Sequence, residues 1–279
     1  MGLIPTSVGR FHLELGGKPC GFVDSVEGGG VVAEVVTEEP GAEHYLKKHL
    51  GAAAPEPIVL TFGLALAPGV YGWLADAWNG EQVPRDGRIV FVDATLKATR
   101  QIEFRGAVVT SVTFPKLDGS SRDACRLTVV LDPEETRFQK ASESLKSPTA
   151  TKAKQWLASN FRVEVDGLDA KSVAKVDAFT VATAGKPIDF PGLRVTIAES
   201  GAETWRAWHE EFVVQGTNDD GRERSGALVL FDPTLQEIGR VRLAGLGIHR
   251  LAVEKAEAGQ EALARVVAEL YCERMELAL

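Results

Sequence analysis

Cysteine is scarce in this chain. Three occur in 279 residues, Cys20, Cys125 and Cys272. None shares a CxxC spacing, and an odd count cannot close into a complete intrachain disulfide set. A disulfide framework is therefore excluded, and small buried thiols in a reducing compartment are expected. Long apolar runs are missing too. The longest, Pro57 to Leu74, is broken by prolines and glycines, so no membrane helix is expected. The opening MGLIPTSVGR lacks the apolar core of a signal peptide, which points to synthesis and folding in the cytosol. Positive charge is in excess in neither half; only residues 141–160 between them, with three lysines and one glutamate, lean positive. Residues 1–140 carry 14 basic and 18 acidic side chains, and residues 161–279 carry 14 and 20. Two acidic halves argue against gripping a phosphate backbone, so no specific nucleic-acid binding is expected.

The motifs of catalysis are also absent. There is no GxxxxGK[ST] loop, no GxSxG elbow and no HExxH. Gly28-Gly29-Gly30 follows a strand but lacks the spaced third glycine and helix of a dinucleotide site. His44 and His49 are five apart and would lie on different helix faces, a poor metal spacing. His209 with Glu210 and Glu211 reads as a charged helix face. His249 alternates with Gly247 and Leu251 and reads as an interior or interface histidine. Asp132 with Glu134, and Asp219 with Asp220, read as solvated turn charges. No catalytic, cofactor or metal site is expected, and the protein reads as non-enzymatic.

What is present is a repeat. Ile89 to Leu131 aligns without a gap on Leu228 to Leu270 at an offset of 139. Asp93, Thr95, Leu96 and Gly106 meet Asp232, Thr234, Leu235 and Gly245. Ile102, Phe104, Val109 and Val112 meet Val241, Leu243, Ile248 and Leu251. A shared pattern of this kind indicates one structural unit present twice. Within it, Gln101 to Arg105 and Val108 to Phe114 alternate with period two, and Gly106 marks a bulge or bend between them. Arg126 to Leu131 is the last strand. Its counterpart, Glu261 to Leu270, has helical propensity by itself, and the repeat favours strand.

The preceding segments repeat as well. Phe11 to Leu15 and Phe161 to Val165 open each copy with the same alternation, 150 apart. Phe22 to Val26 and Val31 to Thr37 follow as strands. The first copy then carries an excursion, Glu38 to Glu56, with a short helix expected over Ala42 to Leu50. Strand Ile58 to Leu66 matches Leu193 to Ala198. Each leads to a short helix, Gly69 to Trp78 and Gly201 to Phe212, with Trp73 and Trp205 as core anchors and Thr204 or Ser200 as a cap. Residues 137–160 read as a linker, with a short helix over Lys152 to Ser159 and Trp156 docked on a neighbour. The expected organisation is domain 1 at 1–136, linker 137–160 and domain 2 at 161–279.

Each copy resembles the tail tube protein of contractile phages and its relatives in type VI secretion and other contractile injection systems. The resemblance rests on the opening FxxExxG-like stretches at Phe11 and Phe161, on the strand leading into a helix with tryptophan, and on IVFVDATLKATRQIEFRGAVVTSV with its aspartate turn and small-residue break. It covers most of the chain outside the linker. It implies a mainly β protein: two tandem antiparallel β-barrel or sandwich domains, each with a short flanking α-helix. It further implies a structural, non-enzymatic subunit of an inner tube or tube-initiating ring, without cofactors. Its partners would be further copies of itself in a six-unit ring, and sheath, baseplate or other tube proteins; three two-domain chains would complete such a ring, and six chains making twelve units in two layers is the competing arrangement. Two departures are visible: the chain has two units where the family has one, and the second copy lacks the 38–56 excursion. The competing reading is a monomeric tandem β-domain protein that binds a ligand or carbohydrate through exposed loop aromatics. An enzyme would require a convergent polar cluster that the sequence does not offer.

Overall fold

The computed structural model describes residues 9–39, 45–145, 156–254 and 264–279. The protein is mainly β, built from antiparallel sheets with two short α-helices. In the first half β1 (Arg10–Leu15) and β2 (Lys18–Val23) form a hairpin, followed by β3 (Ser25–Gly28). Then come β4 (Val31–Glu38), β5 (Lys47–Pro55), β6 (Ile58–Phe62), α1 (Pro68–Trp78) and β7 (Arg85–Val92). The 17-residue β8 (Ala98–Phe114) is followed by the short β9 (Leu117–Asp118), β10 (Leu127–Asp132) and β11 (Glu135–Lys140). The second half holds β12 (Phe161–Val165), β13 (Val173–Val176), β14 (Phe179–Ala182) and β15 (Leu193–Ala198). It ends with α2 (Glu203–His209), a π-helical turn (Glu210–Val214), β16 (Arg224–Phe231), β17 (Glu237–Val253) and β18 (Arg265–Ala278).

One sheet runs β2-β1-β7-β8-β10-β6-β3, and the other runs β12-β16-β17-β18-β15-β13-β9. Alternation sets what each strand buries. Along β8, Ile102, Phe104, Val109, Val112 and Phe114 are all buried, and the residues between them mostly face outward. The same alternation in β17 buries Val241, Leu243, Leu246 and Ile248. The helices close the core. Trp73 and Trp205 are buried, and each indole N–H donates to a backbone carbonyl, Val83 O at 2.8 Å and Asp169 O at 3.1 Å. That satisfies the one polar atom of a large apolar side chain. Tyr71 works the same way. Its hydroxyl accepts from Leu66 N and donates to Gly63 O, and burial pushes its pKa up to about 12.

The pairing register recurs between the halves. Gly87 faces Phe104 and Arg85 faces Ala107, as Gly226 faces Leu243 and Arg224 faces Leu246. Both irregularities sit at a glycine with positive φ, Gly106 at 59° and Gly245 at 63°. A second bulge, at Thr110 in β8 against β10, returns at His249 in β17 against β18. The aspartate turns match bond for bond. Asp93 Oδ1 accepts from Thr95 N (2.8 Å), Thr95 Oγ1 (2.7 Å) and Lys97 N (3.1 Å). Asp232 Oδ1 accepts from Thr234 N (2.8 Å), Thr234 Oγ1 (2.7 Å) and Gln236 N (3.0 Å). These bonds hold Leu96 (φ 63°) and Leu235 (φ 61°) in the left-handed region that a leucine ordinarily avoids.

Three expectations change, and a fourth, the last strand, holds. Lys47–Pro55 is strand β5, where helix was expected over Ala42 to Leu50; residues 42–44 lie outside the described residues. The valine-rich β4 offers an open edge, and Val35, Val36 and Thr37 pair with Leu50, His49 and Lys48. A nine-residue helix without a packed face cannot compete with that pairing. Residues 152–155 of the second expected helix also lie outside the described residues, and Leu157 instead bridges Ala124. Trp156 is buried, as expected. No side chain caps α2; Thr204 Oγ1 accepts from Asp169 N at 3.1 Å instead. Finally, Arg265–Ala278 is strand along its whole length because β17 pairs with it throughout, and residues 261–263 lie outside the described residues.

The face of β1, β7 and β8 opposite the core carries a polar network. Glu14 accepts from Arg88 at 2.7 and 3.1 Å, and Arg88 also donates to Gln101 and pairs with Glu143. Next to it Val90, Val92 and Ala98 pack under Ala141 and Leu145, so the start of the segment between the halves shields this face. His12 lies 3.5 Å from Glu14, and burial lowers its pKa against the opposing pull of that carboxylate.

Two outcomes follow. Gly87 has no room for a Cβ, which would lie 2.4 Å from Glu14 O and 2.5 Å from the Phe104 ring. Gly87→Ala should cost about 1–3 kcal/mol in urea unfolding, and an unchanged midpoint would contradict the packing. A lowered histidine pKa means that the unfolded chain binds the extra proton. His12 therefore contributes stability that is whole above about pH 6.5 and is lost as pH falls below it. Unfolding midpoints measured from pH 7.5 to 5 should fall for the wild type and fall less for His12→Gln.

Candidate assembly interface

β8 outlasts its neighbour. β7 pairs with it as far as Ala107, and beyond that point one edge of β8 would be bare. β14, from the second half, takes that place. Phe179, Thr180, Val181 and Ala182 face Phe114, Thr113, Val112 and Ser111. Thr183 N donates to Thr110 O at 2.8 Å, and its hydroxyl donates to Val109 O at 2.6 Å. Gln82 Nε2 reaches Thr183 O at 2.7 Å and ties the segment after α1 to the same strand. The exchange is mutual, because β9 of the first half pairs with β13 of the second, Leu117 facing Val176.

Phe114 is the centre of this junction. It stacks on Phe179 at 5.0 Å between centroids, lies tilted against Trp78 at 5.8 Å and meets Trp156 edge-on at 6.2 Å. Val112, Phe114 and Val181 are each 0% exposed. Backbone pairing supplies direction and register, and the aromatic cluster supplies buried area, on the order of 2–3 kcal/mol for the phenylalanine alone.

The matching edge of the second half is bare. β16 pairs with β17 only up to Leu246, and among the described residues no strand pairs with Arg250–Val253 on that side. Val253 stands where Phe114 stands in the repeat, and it is 72% exposed. Val213 and Val214, in the turn after α2, are exposed as well. In the first half Val31, Val32 and Val35 of β4 and Leu50 of β5 are exposed, as is Phe138, whose repeat partner Leu277 is buried. Scattered apolar residues on a surface mean little, but exposed valines grouped on one strand make it a candidate interaction surface.

The residues singled out for chemistry do not converge. His44 lies outside the described residues. His49 is exposed on β5, 3.7 Å from Glu38. His209 ends α2, and Glu211 pairs with Arg222 at 3.2 Å. His249, read as interior or interface, is exposed in this chain because it is the bulge residue at the bare edge. Asp132 ends β10, and Asp219 caps a short turn through Gly221 N. The three cysteines are free and buried, and burial pushes the Cys125 thiol up to about 11. Among the described residues no group of three His, Cys, Asp or Glu side chains could hold a metal ion. The β14 crossover was not foreseen. Its only signal in the sequence was that the repeat loses its alignment between Phe179 and Gly192.

Residues 9–137 match the family model described as T4-like virus tail tube protein gp19. The first half of the chain is tail-tube-like. Among solved structures, similarity extends to the sheath–tube complex of an extracellular contractile injection system, PVC, in its extended state. Identity there is 22%, over 49% of this chain and 93% of that one, with a TM-score of 0.41. The tube-terminating cap of the anti-feeding prophage gives 21% identity, 50% and 95% coverage, and a TM-score of 0.42. Hcp1 from Flavobacterium johnsoniae gives 11%, 48%, 100% and 0.31. Each of these aligns with about half of this chain. Comparison with curated proteins finds no match.

Two substitutions at matching positions separate the covered edge from the bare one. Phe114→Ala should destabilise the tail-tube-like half by about 3–5 kcal/mol. Val253→Ala should stay within about 0.5 kcal/mol in the isolated chain. Equal losses in denaturant melts would mean that the two edges are not in the different states described.

Proposed function

We propose that this chain is a structural, non-enzymatic subunit of the inner tube, or of a tube-initiating or hub ring, in a phage tail or contractile injection system. It consists of two tail-tube-like units, 1–136 and 161–279, joined through 137–160, and it arose by tandem duplication. Copies join through sheet edges, and three chains complete a six-unit ring around a central channel. Such a ring forms in the cytoplasm and then becomes part of the particle, where sheath, baseplate and other tube proteins adjoin it. No specific hold on nucleic acid and no membrane insertion belong to this role; among the described residues no helix is long and apolar enough to cross a membrane.

One observation carries the reading beyond the family match. The junction inside the chain is a sheet-edge junction between two units of the same register, and a chain with one such junction made and one bare edge left over is suited to closing on further copies. The ligand-binding alternative needs exposed aromatic platforms. Trp73, Trp78, Trp205 and Trp208 are instead buried in the core, which favours assembly.

Electron microscopy of the purified protein over a range of concentrations tests this. Class averages should show rings of six similar lobes with an open centre, at a mass of three 30.0 kDa chains per ring. Particles that remain single chains at every concentration would overturn the proposal.

A further inference from the structure

The bare edge has a definable occupant. We propose that copies join head to tail through a short antiparallel ladder, Val31–Val32 of one copy against Arg250–Leu251 of the next, with Val31 facing Leu251 and Val32 facing Arg250. This rests on the ring reading above and names the contact that closes the ring.

The register comes from the chain's own junction. The strand before β14 fixes one side. Lys175 faces Thr196 and Val176 faces Val195, as Ser25 faces Thr61 and Val26 faces Leu60. The 150-residue offset therefore holds up to the point where β14 begins, and Phe179–Ala182 correspond to Gly29–Val32. The other side follows the 139-residue offset. Ser111–Phe114 correspond to Arg250–Val253, and the bulges at Thr110 and His249 confirm that no residue is gained or lost between them. Transferring the observed pairs Val181–Val112 and Ala182–Ser111 gives the register stated; the ladder begins at Val31 because Gly29 has φ 73° and its N–H donates to Pro57 O.

Exposure agrees on both sides. Val181 is 0% exposed under β8, whereas its counterpart Val31 is 62% exposed; Phe114 is 0% exposed, whereas its counterpart Val253 is 72% exposed. Each side of the missing ladder thus carries an open residue, Val31 on one and Val253 beside Leu251 on the other. β4 pairs only with β5 among the described residues, so its other edge is free. A two-stranded ribbon with exposed valines is marginal alone and gains from a third strand. Because neither Gly29 nor Val253 carries an aromatic ring where the stacked phenylalanines stand, this contact depends more on ladder hydrogen bonds than on aromatic packing. A head-to-tail contact of this type uses different surfaces on the two copies, which is what a closed ring or a filament needs and a two-fold dimer does not.

Thiol cross-linking of the full chain reads the register directly. Residues facing each other across a ladder hold their Cβ atoms about 4.5–5.5 Å apart, and the three native cysteines are buried. Under mild oxidation, Val31→Cys chains mixed with Leu251→Cys chains should link as heterodimers. Neither variant alone should link with itself, and the double variant should give covalent species of up to three chains. The displaced pair Glu34→Cys with Leu251→Cys should link at least about tenfold less. Circular dichroism of each variant checks that the fold is kept. If rings are seen and the Val31–Leu251 pair fails to link, the ladder is wrong and the ring reading survives. If single variants link with themselves, the head-to-tail arrangement is wrong. If neither rings nor links appear, both proposals fall.

Discussion

The architecture depends on one unpaired edge. β8 is 17 residues long and β7 covers only its first part, so the backbone N–H and C=O groups from Thr110 to Phe114 that face away from β10 need partners that the first half does not supply. Leaving such groups bare on a strand that also carries Val112 and Phe114 would expose apolar surface and an open ladder together. The second half supplies β14, and the aromatic cluster around Phe114 then becomes continuous with the core of the whole chain. The shared core, the docked Trp156 and the tie from Gln82 are all organised around that edge.

The same constraint explains the difference between the two halves. Where the second half sends β14 back onto β8, the first half sends the corresponding segment out into the β4–β5 ribbon. The extra residues of the first half are therefore not an inserted helix but a longer version of the segment that makes the junction. Under the proposed edge pairing, the chain holds one junction within itself and presents the two halves of another between copies. That proposed second junction would lack the phenylalanine pair, so its strength would depend on how many chains are brought together.

Much of this was legible in the sequence. The 139-residue offset carried strand order, the aspartate turns and both glycine bulges, because alternation and turn chemistry are local and survive divergence. It also decided the last strand, where Ala, Leu and Glu argued for helix and long-range pairing with β17 prevailed. Two features were not legible. The strand at Lys47–Pro55 reads as helix because its alanines and lysines carry no β signal, and its partner β4 alone decides it. The crossover of β14 joins residues 65 to 71 positions apart in the chain, and nothing local in Phe179–Ala182 points to Phe114. For the candidate site, the sequence directed attention to strands over titratable residues. It could not show which edges are covered, since coverage is a property of neighbours and not of the strand itself.

Amide hydrogen exchange compares the two edges in one experiment. In dilute solution, where single chains prevail, the amides of Ser111–Phe114 should be protected and those of Arg250–Leu251 that face the bare edge should exchange quickly. On assembly at high concentration the second set should become protected and the first should not change. If Arg250–Leu251 exchange as fast in the assembled state as in the single chain, the bare edge is not where the copies meet, and the account of this protein as a repeating edge-paired ring subunit is contradicted.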